Sequence, residues 1–152
     1  MARTKVNEIM SSRLAVCTKD TTIEDAVNMM VSMDCGAIPV VDSNESVKPI
    51  GMITDRDIVE RTMAKGLNPI GKKVEECMTN NCFTIQKEAT LPEALKVMEK
   101  NQIRRLTVID NDGKCCGILS QADVALNSTD GKVAKLLRQV SKPSLNRSKK
   151  VA

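Results

Sequence analysis

Two aspartates in this chain follow a hydroxyl by three residues and a glycine by six: Gly51, Thr54 and Asp57, then Gly117, Ser120 and Asp123. A carboxylate so placed has two chemical uses. It can close a capping box, accepting the backbone N–H of the hydroxyl residue while that hydroxyl accepts its own N–H. It can also accept from the two hydroxyls of a ribose, beside free backbone N–H groups that attract a phosphate. Capping alone explains either copy. The second use gains weight because the whole heptad recurs, Gly51-Met52-Ile53-Thr54-Asp55-Arg56-Asp57 and Gly117-Ile118-Leu119-Ser120-Gln121-Ala122-Asp123.

Other chemistry is poorly supplied. The chain has no histidine, so a cysteine nucleophile lacks its usual base and a metal site its commonest ligand. Cys17, Cys35, Cys77, Cys82, Cys115 and Cys116 form no C-x-x-C pair, which reads as reduced, mostly buried thiols rather than disulfides or a zinc site. Residues 66–72 fit G-x-x-x-x-G-K, yet Lys73 stands where a phosphate loop needs Ser or Thr. The stretch also follows a helix instead of a strand, so it reads as a linker. The expectation is a protein that is not an enzyme, with no metal and no cofactor.

Strand-to-helix corners must position the two carboxylates. Residues 47–53 read as a strand running into a helix over 54–65, capped by Thr54 and stopped by Gly66; residues 114–119 and Ser120 repeat the corner. The echo extends upstream. Met10, Lys19, Thr22, Ala26, Met30, Val40 and Asp42 recur as Met78, Lys87, Thr90, Ala94, Met98, Val108 and Asp110, an offset of 78 − 10 = 68. Past a turn two residues shorter in the second copy, the offset becomes 117 − 51 = 66.

In the first copy, 6–10 predict a helical opening and 16–18 a short strand. A helix capped by Thr22 then carries Ala26, Met29, Met30 and Met33 at helical spacing and ends at Gly36, before a buried strand over 37–41. In the second, 74–78 are the opening and 83–85 the short strand. Thr90 caps a helix with Ala94, Leu95 and Met98 inward, 104–109 form a strand, and Asn111-Asp112-Gly113 turns a hairpin. Each unit is β-α-β-β-α, so the class is α+β. The divisions are a first repeat at 6–66, a linker at 67–73, a second repeat at 74–127 and a basic segment at 128–152, with a helix over 128–140 and a disordered tail beyond 141.

A chain of 152 residues can bury a sizeable core, and with Phe83 its one aromatic, that core is Val, Ile, Leu, Ala and Met. Scarce aromatics disfavour single-stranded nucleic-acid binding by base stacking. No run approaches the ~18 apolar residues of a membrane span, and no apolar stretch follows the first residues, which predicts a cytoplasmic protein. The net charge of +4 is concentrated at the end: Lys132, Lys135, Arg138, Lys142, Arg147, Lys149 and Lys150, with no acid from 132 onward. A nucleic-acid-associated regulator using that tail is the alternative function.

The G-x-x-T/S-x-x-D motif at Gly51, Thr54, Asp57 and at Gly117, Ser120, Asp123, with the strands at 37–42 and 104–110, makes residues 6–127 resemble a tandem pair of cystathionine-β-synthase-type (CBS) domains, a Bateman module. The resemblance implies two repeats packed with pseudo-twofold symmetry and two clefts for adenosine-containing ligands such as AMP, ADP, ATP or S-adenosylmethionine. It implies a homodimer formed through helices, for which Ile58, Val59, Met63 and Val124 are candidates as well as core, and a sensor acting on a separate effector protein. One cleft would use Ile38, Pro39, Thr54, Asp55, Arg56 and Asp57, with Thr79 from the other repeat's opening. The other would use Arg104, Arg105, Leu106, Ser120 and Asp123, with Ala15. Asp57 or Asp123 would hold the ribose, Thr54 or Ser120 the ribose or α-phosphate, and Ile38 or Leu106 would flank the adenine. Arg104 and Arg105 stand where the first repeat has Gly36 and Ala37. A similar basic pair in the γ subunit of AMP-activated protein kinase reaches phosphates. The Asp123 cleft is therefore expected to prefer phosphorylated adenosine, leaving the Asp57 cleft weaker, empty or suited to a less charged ligand.

Overall fold

Buried aliphatic strands and capped amphipathic helices alternate along the chain, whose computed structural model describes residues 3–143. In order they are α1 (Val6–Ile9), α2 (Ile23–Met33), β1 (Ala37–Val41), β2 (Pro49–Thr54), α3 (Asp55–Arg61), β3 (Thr84–Gln86), α4 (Leu91–Asn101), β4 (Arg105–Ile109), β5 (Cys115–Ser120), α5 (Gln121–Asn127) and α6 (Asp130–Ser141). Strands β1 and β2 pair antiparallel, with Ile38 opposite Ile53, Pro39 opposite Met52 and Val40 opposite Gly51. The order in the other sheet is β3-β4-β5. This is the α+β class expected, with a helix following each hairpin.

The chain groups into two compact units, one of residues 13–82 with 109–116, the other of 3–12, 83–108 and 117–143. The grouping does not follow the repeats, because each repeat's opening segment belongs with the other repeat. In the first unit Val74, Cys77 and Met78 from the second opening pack with Cys17, Ile23, Ala26, Met30, Ile38, Val40, Ile53 and Ile58. Each fully buried aliphatic there contributes about 1.5–3 kcal/mol. In the second unit Val6 of α1 is fully buried, and Val6 N–H donates to Ala89 O at 2.9 Å while Leu91 N–H donates to Thr4 O at 2.8 Å. Leu91, Ala94, Leu95, Met98, Leu106, Leu119, Val124, Leu136 and Val140 are buried there too.

Several element ends differ from the sequence expectation. The helix expected to run to residue 65 stops at Arg61. The Thr62 hydroxyl donates to Ile58 O at 2.6 Å and its backbone leaves the helix (φ −123°, ψ −83°), so Met63–Lys65 is a 3-10 turn closed by Gly66. Helix α2 ends at Asp34, which takes the left-handed conformation (φ 50°), and not at Gly36; aspartate tolerates that region better than most residues. The strand expected at 16–18 is a single bridge between Cys17 and Val40. The strand expected from residue 47 begins at Pro49, because Val47 sits at φ 52° and Asp42 Oδ1 takes the N–H of Ser43 and Lys48 to build a wider turn. The second opening holds a short 3-10 helix, Val74–Glu76, where the first opens with α1.

Helix α6 lays Leu136 and Val140 inward and meets α4 through a Lys135–Glu99 ion pair at 3.6 Å and a Gln102 Nε2–Gln139 O contact at 3.4 Å. The tail expected to be disordered lies, from 144 on, outside the described residues. Among the described residues no helix is long and apolar enough to cross a membrane.

Candidate functional site

Each corner is built from its glycine outward. Met52 and Thr79 exchange both backbone hydrogen bonds, at 3.0 and 2.8 Å, which lays the second repeat's opening segment across β2. A Cβ on Gly51 would collide with the Thr79 carbonyl oxygen and the Met78 methyl. The other corner repeats this: Ser11 and Ile118 exchange bonds of 2.9 and 3.0 Å, and a Cβ on Gly117 would lie 2.9 Å from Ser11 O and 2.6 Å from Met10 Sδ. The motif glycine is there because another backbone passes against it.

The hydroxyl and carboxylate then lock the turn into the helix. Thr54 Oγ1 accepts from Asp57 N at 3.0 Å, and Asp57 Oδ2 accepts from Thr54 N at 3.1 Å. Ser120 Oγ accepts from Asp123 N at 3.2 Å, while Asp123 Oδ2 accepts from Ser120 N at 2.8 Å and from its hydroxyl at 2.9 Å. Both are capping boxes.

Beyond the boxes the corners diverge. Asp57 Oδ1 lies 3.5 Å from Thr79 Oγ1 and 3.6 Å from Arg61 Nη2. Arg61 Nη2 donates to Thr79 Oγ1 at 3.1 Å, and Nη1 donates to Cys77 O at 2.6 Å and to Met78 O. Asp55 N donates to Gly36 O at 3.0 Å, and Arg56 turns outward to Glu60 at 2.5 Å. In the Asp123 corner Gln121 N donates to Arg104 O at 2.9 Å. Among the described residues Asp123 Oδ1 takes no hydrogen bond and Gln121 Oε1 is buried without a partner. Arg104 and Arg105 are exposed, and neither guanidinium is paired among the described residues. Asn127, at the place of Arg61 (127 − 66 = 61), folds back onto Asp123 O at 2.8 Å.

Of the residues expected at the clefts, Thr54, Asp55, Asp57 and Thr79 meet at the first corner, and Arg104, Arg105, Ser120 and Asp123 share the second unit. Ile38 and Leu106 are fully buried core side chains, and Pro39 is buried opposite Met52. Ala15 falls in the other unit from Asp123. Sequence reasoning missed Arg61 and Gln121. The motif alignment holds the one available signal, a basic residue answered by asparagine at the helix end. Ile58 and Val124 are core, while Val59 and Met63 are 52% and 65% exposed. Burial pushes the Cys17 thiol up to about 12 and Cys77 upward as well, so both are poor nucleophiles at neutral pH. Among the described residues no three His, Cys, Asp or Glu side chains are gathered to hold a metal.

Comparison with known proteins matches the CBS domain family to residues 6–63 and 74–129. The chain is 29% identical over 140 residues to hypoxic response protein 1 of Mycobacterium tuberculosis, covering 92% of this chain and 96% of that one. It is 33% identical over 129 residues to the CBS domain-containing protein YhcV of Bacillus subtilis, covering 85% and 89%. Among solved structures, Hypoxic Response Protein I with two coordinated zinc ions superposes with a TM-score of 0.72 at 31% identity, covering 83% of this chain and 100% of that one. The CBS domain pair of protein MJ0100, in complex with 5′-methylthioadenosine and S-adenosyl-L-methionine, superposes with a TM-score of 0.71 at 26% identity, covering 82% and 95%. Two family matches, each ending just past one of the glycine–hydroxyl–aspartate corners, mean that this chain belongs to the CBS-domain family as a tandem pair of repeats.

Proposed function

We propose that the chain is a regulatory module that binds an adenosine-containing ligand, catalyses no reaction and acts on a separate partner in the cytoplasm. The observation that carries this reading is the Asp123 corner. One carboxylate oxygen is held by Ser120; among the described residues the other is unpaired, as are two guanidinium groups of the same unit. Ribose hydroxyls would donate to Asp123 Oδ1, and Arg104 and Arg105 would take phosphate oxygens, a geometry guanidinium groups match in pairs. That favours AMP, ADP or ATP over an uncharged nucleoside. The MJ0100 pair, which carries two adenosine derivatives, supports the ligand class.

Met10 and Ser11 lie against Gly117 in that corner. A ligand there would favour one placement of the opening segment over others, the differential affinity any switch requires. The exposed Val59 and Met63 are our choice for the homodimer face, which light scattering coupled to size exclusion can check with a Met63→Glu variant.

Thermal melts with AMP, ADP, ATP, S-adenosylmethionine and 5′-methylthioadenosine test the reading. At a hundredfold excess over Kd the expected stabilisation is about 2.7 kcal/mol, a rise of roughly 5–10 °C for a chain of this size. Melts unmoved by all five would refute it. A polyanion reading draws on α6, whose Lys132 and Arg138 are exposed while Leu136 and Val140 are buried. It predicts a nucleic-acid gel shift that fades with salt and with removal of residues 131–152.

A further inference from the structure

We infer that Arg61 latches the Asp57 corner shut, so that the chain takes an adenosine ligand at the Asp123 corner alone until that latch is released; this rests on the ligand class proposed above. The two corners share one heptad and one capping box, so any difference in their use must come from residues outside the motif.

At the Asp57 corner both carboxylate oxygens and the neighbouring guanidinium are engaged. The carboxylate gives Oδ2 to Thr54 N and turns Oδ1 to Thr79 and Arg61. The two contacts of Oδ1, at 3.5 and 3.6 Å, are individually long. The guanidinium that makes one of them is nevertheless fixed by shorter bonds, 2.6 Å to Cys77 O and 3.1 Å to Thr79 Oγ1, with Met78 O as a further acceptor. Its charge therefore stays beside Asp57. The two side chains are only 27% and 16% exposed, so water and salt screen them less than a surface pair. A ribose hydroxyl arriving there must displace Thr79. Moving Arg61 aside would strip a donor from two backbone carbonyls, and an orphaned polar group costs about 1–3 kcal/mol.

The Asp123 corner has the opposite balance. Asn127 replaces Arg61 and bonds to its own helix. Ser11 stands at the place of Thr79 (79 − 68 = 11), is exposed, and makes no side-chain bond to Asp123. What remains among the described residues is two unmet acceptors, Asp123 Oδ1 and the buried Gln121 Oε1, and two unmet cations, Arg104 and Arg105. A ligand with hydroxyl donors and an anionic end would meet Asp123 Oδ1 and the two guanidinium groups without breaking a bond. Arg61 is thus a positioning residue: it holds Asp57 through Thr79 and ties helix α3 to the segment crossing β2.

The test is isothermal titration of the full chain with AMP and, separately, with 5′-methylthioadenosine, for wild type, Asp57→Asn, Asp123→Asn and Arg61→Gln. The expected stoichiometry in wild type is one ligand per chain. Asp57→Asn should keep that site with Kd within about threefold, whereas Asp123→Asn should weaken it about 10–100-fold, the loss of hydrogen bonds to a charged acceptor. Arg61→Gln keeps an amide donor for one carbonyl and should raise the stoichiometry to two. A purely structural arginine would lower the melting temperature and leave the stoichiometry at one, which overturns the latch. Two equal sites in wild type, or loss of binding in Asp57→Asn with retention in Asp123→Asn, also overturns it; those two variants decide the matter if Arg61→Gln fails to fold. No heat from either probe in any protein sinks the adenosine reading itself and the latch with it, which separates the two failures.

Discussion

Gly51→Ala should destabilise the chain by about 2–4 kcal/mol. The new methyl meets the Thr79 carbonyl oxygen and the end of Met78. The methionine tip can swing away. The carbonyl cannot, because it accepts Met52 N at 3.0 Å while Thr79 N donates to Met52 O at 2.8 Å. Relief requires the crossing segment to lift off β2. That removes two backbone bonds at about 0.5–1.5 kcal/mol each, and shifting Met78 and Cys77 in the core adds about 1–3 kcal/mol of overpacking. The lower freedom of an unfolded chain with alanine returns about 0.4–1 kcal/mol. Gly117→Ala should cost less, about 1–2 kcal/mol, because a flexible Met10 sulfur at 2.6 Å and Ser11 O at 2.9 Å need smaller adjustments. Urea unfolding followed by circular dichroism gives both values, and amide exchange at Met52 and Thr79 reports the local opening. Gly51→Ala within about 0.5 kcal/mol of wild type, or better tolerated than Gly117→Ala, would refute the close-approach argument.

Three further outcomes are expected. Replacing Arg104 and Arg105 together with alanine should weaken AMP about 10–100-fold in titration calorimetry and leave 5′-methylthioadenosine, which has no phosphate, nearly unchanged; unchanged AMP affinity removes the arginines from the phosphate role. Glu93 accepts the Thr90 N–H at 2.7 Å and its hydroxyl at 2.7 Å, which hold its carboxyl below the ordinary 4.5. The stability it adds is therefore complete above that value and lost as pH falls through the lower folded one. Thermal melts at pH 7 and pH 3 should differ less in Glu93→Gln than in wild type, and equal losses would contradict the capping role. Cys17, pushed up to about 12 by burial, should resist iodoacetamide at pH 8 until urea unfolds the chain; rapid labelling of the folded protein, mapped by mass spectrometry, would show that its burial is wrong.

What the sequence made legible was local and repeated. Thr54 with Asp57 and Ser120 with Asp123 announce capping boxes because the bonding partners are three residues apart. The buried strand over Ala37–Val41 is plain because all five residues are apolar and both flanks break. What stayed hidden depends on distant backbone. Arg61 reads as an ordinary solvent-side cation until the carbonyls of Cys77 and Met78, sixteen and seventeen residues later, are brought to it. Thr62 reads as mid-helix, yet its hydroxyl turns back on Ile58 and ends α3. Asp34 ends α2 where glycine two residues on was the obvious stop, since an aspartate can adopt the left-handed turn. The arginine pair was visible, but not that Gln121 beside it would be left with a buried acceptor.

The most direct test of the central claim, that a duplicated corner serves as an adenosine site through its aspartate, is a crystal structure of the full chain grown with AMP. The account predicts ribose hydroxyls within about 2.6–3.0 Å of Asp123 and the phosphate against Arg104 and Arg105. AMP bound away from both aspartates, or both corners still closed on their own side chains at saturating AMP, would contradict it.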